Sequence, residues 1–204
     1  MLTLLLLALN STVLHAQRSE LSSNVQKLSE IIASDDFHQL CVASEFSAID
    51  SLYHSALSVT NSNTEEALLA LTFSTVPYDK VPIKFIFRFT YPLISADDSI
   101  FRKKNQNLPK RFLPDSPADS IGDKDKLAHF FGSAFVAYTA RVFDLTKAIG
   151  YFVEVFEENF TPENHIDSRD LKVDQLGELF GKQLKGNPSL LPSSFIKKYK
   201  PYYE

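Results

Sequence analysis

The sequence has a single cysteine, Cys41, and no tryptophan. One cysteine excludes an internal disulfide, so the fold has to be held by its core alone. The context of Cys41, HQLC, also lacks the small residues that a lipid-attaching peptidase reads, which excludes acylation there. Glycine is scarce and unevenly placed: all six glycines lie between Gly122 and Gly186. No nucleophile elbow, phosphate-binding glycine loop, cysteine metal knuckle or internal repeat is present. Positive charge is not in excess. The net charge is −4, and the scattered Lys and Arg exclude nucleic acid as the expected partner.

Only one long apolar run exists, Leu2 to Leu9, followed by a polar break at Asn10 to Thr12 and by the small residue Ala16. This is the length and layout of a secretory signal cut after Ala16. A membrane span needs about 20 apolar residues. No Lys or Arg precedes the run, and Leu14 stands where a second small residue would be, so an uncleaved anchor is the alternative. Export to the periplasm or cell envelope is the expected location.

The remainder divides by composition. Residues 17–76 read as a helical arm. Leu21, Val25, Leu28, Ile31 and Ile32 recur at helical spacing, and so do Phe46, Ile49, Leu52, Tyr53, Ala56 and Leu57. Thr64, followed by Glu65 and Glu66, predicts a capped start for a helix from Glu65 to Phe73. Six of the ten prolines fall between Pro77 and Pro117, which marks residues 77–121 as a connector. Within it, Ile83, Phe85, Phe87, Phe89 and Tyr91 alternate with polar residues and predict one strand, Val81 to Tyr91. Phe101 to Asp119 reads as a loop. Its basic stretch, FRKKNQNLPKR, is expected to be solvated, with peripheral contact to anionic lipid as the alternative. Residues 187–204 form a basic, aromatic tail expected on the surface.

Residues 122–186 carry the chemistry. Three helices are predicted: Asp125 to Phe143, Thr146 to Phe160, and Ser168 to Leu184, with Ser168 or Asp167 as the last one's N-cap. Projected at about 100° per residue, each pairs an apolar face with a stripe of glycine and ionisable side chains. The stripes are Asp125, His129, Gly132 and Ser133; then Gly150, Glu154 and Glu157; then Asp170, Asp174, Gly177 and Gly181. Glycine inside a helix costs roughly 1 kcal/mol relative to alanine, so Gly132, Gly150, Gly177 and Gly181 are expected at close helix crossings. If the stripes face one another, His129 meets Asp125, Glu154, Glu157, Asp170 and Asp174. Like charges so close require proton sharing, compensation by Lys126 or Arg169, or a bound cation. The six ionisable residues are therefore candidate metal ligands. An oxygen-rich set with one imidazole suits Mn, Fe, Zn or Mg better than copper. The alternative is that they are solvated or satisfied helix-start acids. His38, His54 and His165 lack ligand spacing and read as surface histidines. Asn159-Phe160-Thr161 matches a glycosylation sequon, relevant only in a eukaryotic source.

The string DKLAHF at Asp125 to Phe130, then Gly150 with Glu154 and Glu157, then Asp170 with Asp174, Gly177 and Gly181, resembles the pattern of VanZ-like proteins and of predicted periplasmic lipoproteins of the YfiM type. The resemblance covers roughly residues 123–184. The acidic residues at Asp174 and Glu157 are closer to the periplasmic branch, since VanZ-like proteins typically carry Asn and Gln there. The chain departs from the first group in lacking additional membrane helices and from the second in lacking an acylated N-terminal cysteine. The resemblance implies a bacterial envelope location. Together with the arm and connector read from the residues themselves, the expected fold is mainly α: a helical arm, a short strand-bearing connector and a C-terminal VanZ-like helical domain. The resemblance implies no defined reaction. The expected function is a non-enzymatic envelope component that binds a lipid, a cell-wall fragment or another protein. The alternative is a metal-dependent hydrolase or lipid-modifying enzyme working at the His129 stripe.

Overall fold

The computed structural model describes residues 19–84, 88–139 and 168–201. The protein is mainly α-helical. In chain order the elements are α1 (residues 19–33), α2 (Asp35–Ala43), α3 (Glu45–Val59), α4 (Thr64–Thr75), β1 (Lys80–Lys84), β2 (Arg88–Pro92), α5 (Asp98–Asn107), α6 (Lys126–Thr139), α7 (Ser168–Leu184) and the short α8 (Ser193–Ile196). Among the described residues, no helix is long and apolar enough to cross a membrane. The predicted helix Thr146 to Phe160 and the signal segment lie outside the described residues.

Side chains at the boundaries explain the segmentation of the first four helices. Ser34 accepts from the Phe37 amide and Ser44 from the Ser47 amide, so each serine stops one helix and starts the next. Asn63, not Thr64, caps α4 by accepting from the Glu66 amide; Thr64 already lies in the first turn. Asn61 and Ser62 take positive φ angles ahead of it, a left-handed turn that delivers the chain to its cap.

α4 is the central helix. Ala67, Leu68, Ala70, Leu71, Phe73 and also Thr72, Ser74 and Thr75 are buried, so it has no solvent face over its second half. The three hydroxyls are satisfied by helix carbonyls, Thr72 by Leu68 and both Ser74 and Thr75 by Leu71. α4 packs on α3 and α6, and α6 packs along α7. Phe180 of α7 joins the layers. Its ring stacks on Phe130 of α6 at 5.3 Å and meets Tyr53 of α3 edge-on at 5.6 Å and Phe195 of α8 at 5.3 Å.

Several expectations are corrected by this packing. The arm and the C-terminal helices share one core, in which Val25, Leu28, Leu52 and Leu68 lie with Phe131, Val173 and Phe180. The tail is not a surface appendage. Phe195, Ile196 and Tyr199 are buried, and Asp50 of α3 accepts from both the amide and the hydroxyl of Ser193. The single strand Val81 to Tyr91 is not formed. Two short antiparallel strands stand in its place, with Ile83 opposite Phe89 and Lys84 opposite Arg88. Apolar and polar residues alternate through both strands, so periodicity alone does not separate them.

The basic stretch expected as a solvated or lipid-touching loop begins instead as α5, and Lys104 within it is fully buried. Its ammonium donates to the Val76 carbonyl at 2.6 Å and sits over the Phe101 ring. Lys103 pairs with Asp35 at the surface. The rest of the connector is held to the arm. Asn107 donates to the Ile32 and Ser34 carbonyls at the end of α1, and Glu45 accepts from the Lys110 and Arg111 amides.

Candidate functional site

The close crossing of α6 and α7 sets the site. Gly177 lies against the Phe130 carbonyl and Gly181 against the Ala134 carbonyl, so closely that a methyl group at either glycine would overlap main-chain oxygen. Two of the four glycines predicted at helix crossings are therefore at one. Gly132 is buried in α6, and Gly150 lies outside the described residues. With the helices this near, the polar stripe of one faces that of the other.

Asp125 and His129, a turn apart at the start of α6, thus converge with Asp170 and Asp174, a turn apart at the start of α7. Lys126 stands between the helices, with its ammonium 2.5 Å from Oδ1 of Asp170 and 3.2 Å from Oδ2 of Asp125. Nε2 of His129 is 3.4 Å from Oδ1 of Asp170, and its Nδ1 is 3.3 Å from Oδ1 of Asp174. The Ser133 hydroxyl donates to that same Asp174 oxygen at 2.7 Å. Lys126 and His129 are 3% and 4% exposed, so both nitrogens interact with carboxylates largely away from water. Asp125, His129 and Asp170 can each place one ligand atom within 4.8 Å of the others. The remaining two candidate ligands, Glu154 and Glu157, lie outside the described residues.

Burial raises the Asp170 carboxyl above its ordinary range, and the Asp125 charge pushes the same way. His129 and Lys126 oppose the shift. The centre therefore carries its own partial compensation, through Lys126. Arg169, the other compensator expected from the sequence, serves a different pair. Its guanidinium binds Asp115 at 3.1 Å and also fully buried Asp123. Asp123 in turn accepts from the Leu113 amide at 2.9 Å and from Ser116, while Tyr199 donates to Asp115 at 2.8 Å. This second network fixes the chain entering α6, the start of α7 and the tail to one another.

Beside the charged centre is an open cavity of about 410 Å³ lined by Pro77, Tyr78, Asn105, Ile121, Lys124 and Asp125. Burial pushes the Tyr78 phenol up to about 12, with Asp125 and Asp170 adding to the shift and Lys126 opposing it. Tyr78, Asn105, Asp115, Asp123 and Tyr199 were not singled out in the sequence. Each comes from a proline-rich or irregular segment where no periodicity marks a face. His38 and His54 are exposed, as surface histidines should be, and His165 lies outside the described residues.

Comparison with protein-family models, with curated proteins and with solved structures finds no match.

Proposed function

We propose that the protein is an exported component of the bacterial cell envelope, of VanZ-like type, that binds its partner rather than transforming it. In this reading the centre formed by Asp125, Lys126, His129, Asp170 and Asp174 locks α6 to α7. The observation that carries it is the position of Lys126, whose buried ammonium lies between Asp125 and Asp170, where a bridging cation would sit. A divalent ion at that point would have to displace Lys126 from its carboxylates. Leaving one member of a buried ion pair without the other costs about 3–5 kcal/mol. Support for the VanZ-like type is that two of the three resembling strings, around DKLAHF and around Asp170 to Gly181, face each other across one helix crossing. Support for export is the apolar run from Leu2 to Leu9 ending before Ala16. The acidic balance of the chain favours a lipid, a cell-wall fragment or a protein as partner over nucleic acid.

A metal-dependent hydrolase or lipid-modifying enzyme is the second reading. It is favoured by Oδ1 of Asp125, which is buried and has no hydrogen-bond partner among the described residues. Melting of metal-stripped protein separates the two. On the first reading, chelator, Mg, Mn and Zn leave the melting temperature unchanged, and Lys126→Met lowers stability by about 3–5 kcal/mol. A cation-dependent rise in melting temperature that His129→Ala or Asp170→Ala abolishes would overturn that reading in favour of the enzyme.

A further inference from the structure

The hairpin of β1 and β2 is rooted in the core only at its base. There Val76 and Leu93 are buried, and the Leu93 amide donates to the Asp79 carbonyl at 2.8 Å. Beyond the base, neither strand packs closely on any described helix. A two-stranded ladder alone is marginally stable in water and is ordinarily completed by a third strand or by packing on a helix. The register sorts its residues by chemistry. Val81 pairs with Tyr91 and Ile83 with Phe89, so one face of the ladder is wholly apolar. Lys80 pairs with Pro92, Pro82 with Thr90 and Lys84 with Arg88, so the three cations share the other face.

From Lys80 to Ala96 the chain has these three basic residues and no acidic one. The whole chain carries −4, so taking away the three cations leaves −7 on the remainder. The hairpin is thus opposite in charge to the rest of the chain taken together, and complementary to an anionic surface. The separation of its two faces decides which surface. A protein covering the apolar face would leave Lys80, Lys84 and Arg88 on the far side of the ladder, with no part in the contact. A bilayer engages both faces of a thin element lying in its plane. The acyl boundary takes the apolar face and the phosphate layer surrounds the cations, as for an interfacial amphipathic helix. Tyrosine is itself enriched at that depth, where its ring is apolar and its hydroxyl wet.

We propose that the hairpin of β1 and β2 docks the protein on an anionic phospholipid surface, the face of Val81, Ile83, Phe89 and Tyr91 toward the acyl chains and the face of Lys80, Lys84 and Arg88 among the phosphates. The inference rests on the proposed role as an envelope component that binds its partner, and it names that partner as the lipid.

The chain has no tryptophan, so Tyr91→Trp places a single fluorescent reporter on the apolar face. The full chain carrying it is mixed with vesicles of equimolar phosphatidylglycerol and phosphatidylcholine, with the same vesicles bearing brominated acyl chains, and with vesicles of phosphatidylcholine alone. On the anionic vesicles the emission is expected to shift to the blue and to be quenched by bromine, with binding that weakens as salt is raised. Lys84→Gln and Arg88→Gln should each weaken binding about fivefold. Lys84→Arg should bind like the parent, which separates loss of charge from loss of the fold. Attachment through the Leu2 to Leu9 run alone would leave the reporter unshifted and both glutamine variants unaffected, and either result overturns the proposal. Equal binding to the neutral vesicles overturns it as well. Emission already shifted to the blue without vesicles overturns it in favour of a second copy of the chain where the shift depends on protein concentration, and of cover from within the chain where it does not. The melting experiment with chelator reads the centre between α6 and α7, so either result can fail without the other.

Discussion

Lys104 is a cation placed where water cannot reach it. Its ammonium lies at the C-terminal end of α4, donating to the Val76 carbonyl, a position that a positive charge favours through the helix dipole. Desolvation outweighs that gain and brings the group down to about 7 from its ordinary 10.5. Above the folded value and below the unfolded one, the unfolded chain holds a proton that the folded chain has released, so stability rises with pH across that interval. Cys41 acts in the opposite sense from its ordinary 9.0 upward, because burial raises its thiol to about 12 and the unfolded thiol ionises first. Between about pH 7 and pH 9 the lysine term stands clear, and stability should increase by roughly 2 kcal/mol. Lys104→Met should flatten most of this rise while being at least as stable as the parent at pH 7. Denaturant melts of both proteins across the interval decide it; an unchanged slope in the variant would assign the effect elsewhere. Sequence alone could not show this lysine. It belongs to a run of basic residues, and nothing in FRKKNQNLPKR distinguishes the one that points inward. Asp125, His129, Asp170 and Asp174 were legible because each pair repeats at one helical turn, which fixes a shared face whatever the tertiary arrangement.

At the scale of elements, the contact between α6 and α7 depends on two missing side chains. An alanine at Gly177 or Gly181 adds a methyl group against a main-chain carbonyl, which cannot swing aside as a side chain can. The helices would have to separate, at a cost of about 1–3 kcal/mol for each substitution. Separation also lengthens the contacts of Lys126 and His129 to Asp170 and Asp174. Gly186 is the internal control: it is exposed, and a methyl group there would approach only the Gln183 carbonyl, at 3.8 Å. Thermal melts should therefore show Gly177→Ala and Gly181→Ala well below the parent and Gly186→Ala close to it. Unchanged or raised melting temperatures for Gly177→Ala and Gly181→Ala would mean that the helix propensity of alanine, worth roughly 1 kcal/mol over glycine, outweighs the close contact. These helices were readable because glycine is rare enough for its stripe to stand out. Two other elements were not. α2 has few apolar residues on its inward side, with only Phe37 fully buried, and α5 is mostly polar because it is held by Lys104, Asn105 and Asn107 reaching main-chain carbonyls. Neither presents the apolar repeat from which a helix is read.

At the scale of the molecule, compositional zones did not translate into folding units. Glycine and proline report local backbone demands, whereas the core is assembled from residues far apart in the chain, and these had no common signal in the sequence. Phe180 touches Tyr53 on one side and Phe195 on the other, Ser193 is fixed to Asp50, and Tyr199 reaches Asp115. The tail thus closes the structure over helices laid down more than a hundred residues earlier. A fragment of residues 122–204 would expose the faces of α6, α7 and α8 that α3 and α4 cover, and is expected to give no cooperative melt. The full chain should unfold in a single transition, as a single shared core requires. Phe195→Ala isolates the contribution of the tail. Truncating a buried aromatic ring removes contacts with Phe180 and leaves a cavity, for a loss of about 3–5 kcal/mol. Calorimetry on the three proteins reads the outcome. Two resolved transitions in the full chain, or a fragment that melts cooperatively on its own, would restore the C-terminal helices as an independent domain and reduce the arm to an appendage.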